Sequence, residues 1–142
     1  MLTKRKVSAG GVIYRRRNAE VEVALTFRNQ GQIAALPKGL VEKGESLESA
    51  ASRELQEETG LKGKLLQKIN SIDYWFYDKQ EGARIHKTVH FFLFKHTGDS
   101  VTEHDWEVEE VKWVPIKAAV TLATYKGEQE IIKQAQQLIQ NE

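Results

Sequence analysis

Apolar residues recur along this chain with two periods, and the switches between them lay out the elements. Val7 to Arg16 reads as a strand, with glycines at 10 and 11 that mark a bulge or a close approach of backbone. Val21, Val23, Leu25 and Phe27 alternate with polar or small residues, the mark of a half-buried strand, and Arg17-Asn18-Ala19 is the turn that makes the pair a hairpin. After a loop from Gln30, a short strand at Ile33–Leu36 stops at Pro37, which fixes the backbone. Leu65 to Tyr77 is a strand ending in Tyr74-Trp75-Phe76-Tyr77, Gln80-Glu81-Gly82 is a turn, and Arg84 to His96 is the longest strand. On that last strand Ile85, Lys87, Val89, Phe91 and Leu93 share one face and His86, Thr88, His90, Phe92 and Phe94 the other. Its second half is apolar on both faces, as in a sheet covered on both sides. Val111 to Val114 is a further strand ended by Pro115; Ile116 to Leu122 is a short helix, and Glu128 to Gln140 an amphipathic one with Ile131, Ile132, Ala135, Leu138 and Ile139 as its stripe.

The helical period is most informative between Gly39 and Leu61. Ser46 stands where an N-cap belongs, Glu48 falls in the first turn where the helix dipole favours an acid, and Gly60 follows the last turn. At about 100° per residue, Glu48, Ser49, Ser52, Gln56 and Thr59 form an outer polar arc and Leu47, Ala51 and Leu55 a core stripe. Glu54 and Glu58 fall on the stripe's side and Glu57 at its edge. A run of glutamates is ordinarily a solvated face. Here two of the acids point with the apolar stripe, and partly buried carboxylates need cations. Arg53 reaches Glu57 at i+4, but one guanidinium does not neutralise three acids; a divalent ion with oxygen ligands does. Glycines at 39 and 44 let the preceding loop fold beside the helix N-terminus, which favours a phosphate there.

Composition bounds the rest. At 142 residues the chain is expected to form a single domain, 1–142, with a real core. A net charge of +1 gives no push toward nucleic acid or an anionic membrane. There is no cysteine, hence no disulfide frame, and no apolar run approaches the ~18 residues of a spanning helix. Cytoplasm is the expected compartment, with a monomer or homodimer as the expected assembly.

The segment Gly39 to Leu61 matches the Nudix box at every fixed position: glycine, five residues, Glu45, seven residues, Arg53-Glu54, an apolar residue, any residue, Glu57-Glu58, any residue, Gly60 and an apolar residue. Leu36-Pro37-Lys38-Gly39 before it and Trp113-Val114-Pro115 after it also resemble Nudix framework, so the resemblance covers most of the chain. It implies an α/β/α sandwich with a mixed sheet, and hydrolysis of a diphosphate bond in a nucleotide with Mg²⁺ or Mn²⁺. By the resemblance the metal is held by Glu54, Glu57, Glu58 and the main-chain carbonyl of Lys38, while Arg53 and Glu45 orient the ligands. The base is Glu54 or an acid from the downstream loop, for which Glu103 and Glu109 are the candidates. The strand Arg84-Ile85-His86-Lys87-Thr88-Val89-His90 is similar to that of Nudix enzymes acting on nucleoside polyphosphates, where a lysine contacts phosphate.

Each substrate candidate also has a plainer role. Lys87, on an apolar face, either meets a phosphate, with help from Lys38, or snorkels to an edge. His86 and His90 lie about 13 Å apart on a strand, too far for a shared metal; they are expected as hydrogen-bonded sheet residues, with a phosphate contact by His86 as the alternative. Tyr74 and Tyr77 stack on a base or pack in the core. Gly39 lines the phosphate loop. Dinucleoside polyphosphates such as diadenosine tetra- or hexaphosphate are the expected substrates. Oxidised nucleoside triphosphates, cleaved by MutT-like sanitation enzymes, come next, and diphosphoinositol polyphosphates after them. A non-catalytic Nudix ligand sensor is the alternative of another class; such sensors usually lose box carboxylates, and this chain keeps them all.

Overall fold

A computed structural model describes residues 2–100 and 108–142. Among them run β1 (Leu2–Arg17), β2 (Glu20–Arg28), β3 (Ile33–Ala35), β4 (Lys38–Leu40), α1 (Leu47–Thr59), β5 (Leu61–Asp78), β6 (Ala83–Ser100), β7 (Glu110–Pro115), α2 (Ile116–Leu122) and α3 (Lys126–Gln140). The strands form one sheet in the order β3-β2-β1-β6-β5, with β4 paired to β1 and β7 to β2. The sheet is mixed, because β1 and β6 are parallel while the other pairs are antiparallel.

The expected hairpins form. Asn18 and Ala19 both take positive φ, 53° and 67°, so the two-residue turn follows the right-handed twist of its strands. Burial on both faces of β6 separates two cores. Val12, Leu25, Phe91 and Leu93 pack against Ile131, Ile132, Ala135 and Ile139 of α3, and α2 closes the same side through Ile116 and Ala119. Ala9, Ile13, Phe92 and Phe94 pack against Ala50, Ala51 and Leu55 of α1. The result is the expected α/β/α sandwich.

Three segments differ from the reading of the sequence. β1 begins at Leu2 because its polar Lys4-Arg5-Lys6 stretch lies alongside β6 from Ala83 onward, held by main-chain ladder bonds that leave no trace in hydrophobic pattern. Lys38–Leu40, read as loop, is a short strand on β1, with Gly10 opposite Lys38 and Ala9 opposite Gly39. β6, read from the sequence as ending at His96, runs on to Ser100. The glycines of β1 mark close approach: a Cβ at Gly10 would overlap the Pro37 carbonyl, and one at Gly11 the Phe94 ring.

Candidate active site

The caps of α1 are those the sequence implies. The Ser46 side chain accepts from the Ser49 amide at 3.1 Å, and Gly60 takes the left-handed conformation with φ 74°. With both ends fixed, Glu54 is directed at β4. A Cβ at Gly39 would overlap the Glu54 carboxyl group, so the box glycine is required by the carboxylate that lies against it.

Arg53 organises the outer half of the site. Its Nε and Nη2 donate to the two oxygens of Glu45 at 2.7 and 2.9 Å, Nη1 donates to Glu54 at 2.8 Å and Glu57 at 3.2 Å, and Nη2 also donates to the Leu40 carbonyl at 3.0 Å. One planar fork therefore ties β4, the loop after it and two turns of α1 together. Glu45 accepts a further bond from the Glu42 amide at 3.0 Å. The Arg53 bonds first, and this amide second, hold the Glu45 carboxyl down to about 2. The same Glu45 and Glu54 contacts push the Arg53 guanidinium further above its already high range.

The three box acids differ sharply in exposure. The Glu57 side chain is 52% exposed and that of Glu58 only 7%. Glu58 is met by a second guanidinium, Arg28 at the end of β2, whose Nη2 donates to its two oxygens at 2.6 and 2.8 Å. The expectation that Arg53 is alone against three acids is thus corrected: a cation thirty positions earlier in the chain shares the load. Thr59, placed on the outer arc by helical phase, is buried. Its hydroxyl donates to the Leu55 carbonyl at 2.6 Å and accepts from the Leu61 amide at 3.1 Å, because β5 starts immediately after the helix and covers its last turn.

Among the described residues no three acidic, histidine or cysteine side chains already converge as a closed metal set. The donors of α1 nevertheless fit a hard divalent ion. They are carboxylate oxygens with no sulfur among them, backed by the Gly39 cradle and oriented by arginines.

The substrate candidates divide between the two faces of the sheet. Lys87 alternates with the buried Val89 and Phe91 and so lies on the α3 side, with Tyr74 opposite it on β5 and Lys6 opposite it on β1. Burial first, then Lys38 and Lys6, lower its amine below the usual lysine range. Among the described residues no carboxylate pairs with it. A cavity of about 630 Å³ opens on the same side of the sheet, with Lys38, Tyr74, Phe76, Val89, Tyr125 and Glu128 in its wall; Lys87 is two residues from Val89 and opposite Tyr74. Tyr77 pairs with Arg84, one residue out of phase with Tyr74, and lies on the opposite face; the two tyrosines do not form one stacking site. His86 is on that opposite face too. Trp75 stacks on it with ring centroids 4.5 Å apart, Asp73 approaches its Nε2 at 3.3 Å and Arg5 its Nδ1 at 3.4 Å. His90 meets Lys68 at 2.8 Å. Glu109 accepts from the Gln30 amide with both oxygens, at 2.9 and 3.2 Å, and Glu103 lies outside the described residues.

Arg28, Tyr125, Phe76 and Glu128 were missed as site residues. Alternation places Arg28 at a strand end and cannot say which acid it faces. Glu128 had a signal, an acid in the first turn of α3, but that position ordinarily implies only helix stabilisation.

With this geometry in place, the comparison with known proteins is decisive for the family. The NUDIX domain model matches residues 4–135. The chain belongs to the Nudix hydrolase family. It is 38% identical over 145 residues to a Mycobacterium tuberculosis protein bearing the mutator designation MutT4, an alignment covering 98% of this chain and 58% of that protein. It is 31% identical over 115 residues to the 8-oxo-(d)GTP phosphatase of Mycolicibacterium smegmatis, covering 81% of this chain and 34% of the relative. The chain thus spans well under two thirds of the length of both. In fold it is similar to a Caenorhabditis elegans Ap4A hydrolase in a binary complex, with TM-score 0.77 and 24% identity over 96% of this chain and 99% of that one. No helix among the described residues is long and apolar enough to cross a membrane.

Proposed function

We propose that this Nudix chain hydrolyses a diphosphate bond of a dinucleoside polyphosphate. The observation that carries this reading is Lys87: half-buried, near Lys38 and Lys6, unpaired with any carboxylate among the described residues, and paired across the strands with Tyr74, which with Phe76 and Tyr125 walls a cavity. An amine in such a place is best matched by an anion, and a chain of several phosphates ending in a base supplies both the charge and the ring the cavity suits. In this reading Gly39 and Glu54 face the scissile diphosphate from the α1 side, and Lys87 and Lys38 face the remaining phosphates from the α3 side.

Glu54, Glu57, Glu58 and the Lys38 carbonyl would hold Mg²⁺ or Mn²⁺. Bound there, the ion would neutralise phosphate charge and lower the pKa of the attacking water. Arg53 holds Glu54 and Glu57 in place while Glu45 holds Arg53. Glu54 is the carboxylate proposed to take the proton of the water, with a downstream acid, Glu103 or Glu109, as the alternative. Tyr77 and His86 lie on the face opposite Lys87 and are not among the phosphate contacts proposed for it.

The curated relatives, one of them named as an 8-oxo-(d)GTP phosphatase, favour a second reading, sanitation of oxidised nucleoside triphosphates. Product chromatography in Mg²⁺ separates the two. Diadenosine tetra- to hexaphosphates are expected to show higher kcat/KM than any nucleoside triphosphate, and Lys87→Ala is expected to narrow that gap, since only the longer phosphate chain fully uses this amine. An oxidised guanosine triphosphate cleaved faster than every dinucleotide moves the chain to the sanitation class. No Mg²⁺-dependent product from any nucleotide in the panel moves it to the non-catalytic sensors.

A further inference from the structure

Glu128 is 1% exposed, in the first turn of α3. Its Oε1 accepts from the Leu36 amide at 2.7 Å and its Oε2 pairs with the Lys38 amine at 2.8 Å. An acid three residues past an N-cap ordinarily returns to its own helix and satisfies a free amide there. Here the N-cap, Tyr125, has no side-chain cap, and both oxygens of Glu128 are committed across a gap to the segment that enters the box. The helix forgoes a local stabiliser to hold another part of the chain. Burying a carboxylate is costly, and a well-packed apolar side chain in its place is often as stable, so core filling does not account for it.

The neighbouring contacts point to the same segment. Thr124 donates its amide to the Ala34 carbonyl and accepts the Ala34 amide on its hydroxyl, both at 2.8 Å. The corner 123–125 is thereby laid on β3, and Tyr125 is carried to the wall of the cavity. Further along the segment, the Pro37 carbonyl lies against Gly10 so closely that a Cβ there would overlap it, and the Glu54 carboxyl lies as closely against Gly39. Residues 34–39 are fixed from three sides, and Glu128 supplies the third.

We infer that Glu128 is a positioning residue of the hydrolytic site, whose buried carboxylate sets the Lys38 main chain for the divalent ion and locks the Tyr125 corner to it. This rests on the proposed reading that the box acids and the Lys38 carbonyl hold that ion. Glu128→Leu and Glu128→Gln are compared with wild type on the full chain, by Mn²⁺ titration calorimetry without nucleotide, by thermal melting, and by kcat and KM for diadenosine tetraphosphate. In Glu128→Leu, Mn²⁺ affinity and kcat are each expected to fall by about 10- to 100-fold, the range for residues that orient ligands, with a smaller change in KM. Glu128→Gln keeps an acceptor for Leu36 and is expected to lose less. A purely structural residue would lower the melting temperature and leave Mn²⁺ affinity of the folded protein intact, and that result overturns the inference. If Glu128→Leu does not fold, wild-type affinity and kcat in Glu128→Gln overturn it instead. Glu57→Gln serves as the reference: Mn²⁺ binding retained there defeats the reading of the box itself, whereas binding lost there but unweakened by Glu128→Leu defeats only the role of Glu128.

Discussion

Helices α1 and α3 grip the same short strand, β4, from opposite faces of the sheet, and they use charge in opposite ways. On α1 the acids are several, range from Glu57 half in solvent to Glu58 buried, and each is matched to a guanidinium: Glu54 and Glu57 to Arg53, Glu58 to Arg28. On α3 one acid, Glu128, is buried and its oxygens are divided between an amide and a lysine of the segment it holds. In the proposed reading the guanidinium contacts of α1 orient carboxylates that hold a divalent ion. A carboxylate sealed against a main-chain amide cannot be given up without leaving both groups unsatisfied. In that reading the difference separates carboxylates oriented toward a metal from a carboxylate that fixes the chain.

The sharpest way to break this comparison lies within α1, where Glu57 and Glu58 should behave alike in activity and differently in stability. Glu57→Gln and Glu58→Gln are each expected to lower kcat by at least about 100-fold, since a direct ligand matters no less than the residues that orient it. Glu57, half in solvent and held by one 3.2 Å bond, should change stability by less than about 0.5 kcal/mol. Glu58→Gln removes charge from a buried pair and should cost about 1–3 kcal/mol. Chemical denaturation alongside the rate assay decides it. Equal stability losses would mean that the Arg28 contact is no more a part of the fold than the Arg53–Glu57 contact.

A second comparison tests the packing beneath the acids. Ala51 is fully buried against the α1 side of the sheet, so Ala51→Leu should destabilise by about 1–3 kcal/mol through overpacking. Thr59→Ala deletes a hydroxyl bonded to Leu55 and Leu61 and should cost about 1 kcal/mol. Ser52→Ala, on the exposed arc of the same helix, should shift stability by less than about 0.5 kcal/mol. Urea midpoints for the three variants check the order. A Thr59→Ala protein as stable as Ser52→Ala would restore the phase that helical periodicity alone assigns to this residue.

Thr59 shows where legibility in the sequence stopped. Everything set by neighbours along the chain could be read: the Ser46 and Gly60 caps, the Asn18-Ala19 hairpin, the two faces of β6, and the reach of Arg53 to Glu57. Helical phase ranks positions around a cylinder but carries no information on what crosses over its end, and β5 crosses over Thr59. Contacts between distant segments were silent for the same reason. Arg28 and Glu58 are brought together by the pairing of β2 within the sheet, and Glu128 reaches Leu36 because the corner between α2 and α3 is bonded to β3 through Thr124. Tyr74 and Tyr77 are three apart, an odd step that puts them on opposite faces of a strand, and it takes the observed register to show that Tyr74 is the one that lines the cavity.

The smallest expected effect concerns pH and belongs to the α1 face alone. Arg53 foremost, with the Glu42 amide, holds the Glu45 carboxyl at about 2 in the folded protein, against its ordinary 4.5. A depressed carboxyl stabilises the folded state when ionised in both states, so the contribution is complete above about 4.5 and is lost as pH falls from there toward about 2. Glu45→Gln removes the titration and keeps the shape. The melting temperatures of wild type and variant should therefore differ by a constant amount from neutral pH down to about 5, and the gap should close progressively below that. Because other carboxylates titrate in both proteins, the difference between the two curves isolates this one. A gap unchanged down to the acid limit of folding would show that the Glu45–Arg53 pair adds nothing through its charge, and that Arg53 is held in place by its bonds to Glu54 and Leu40.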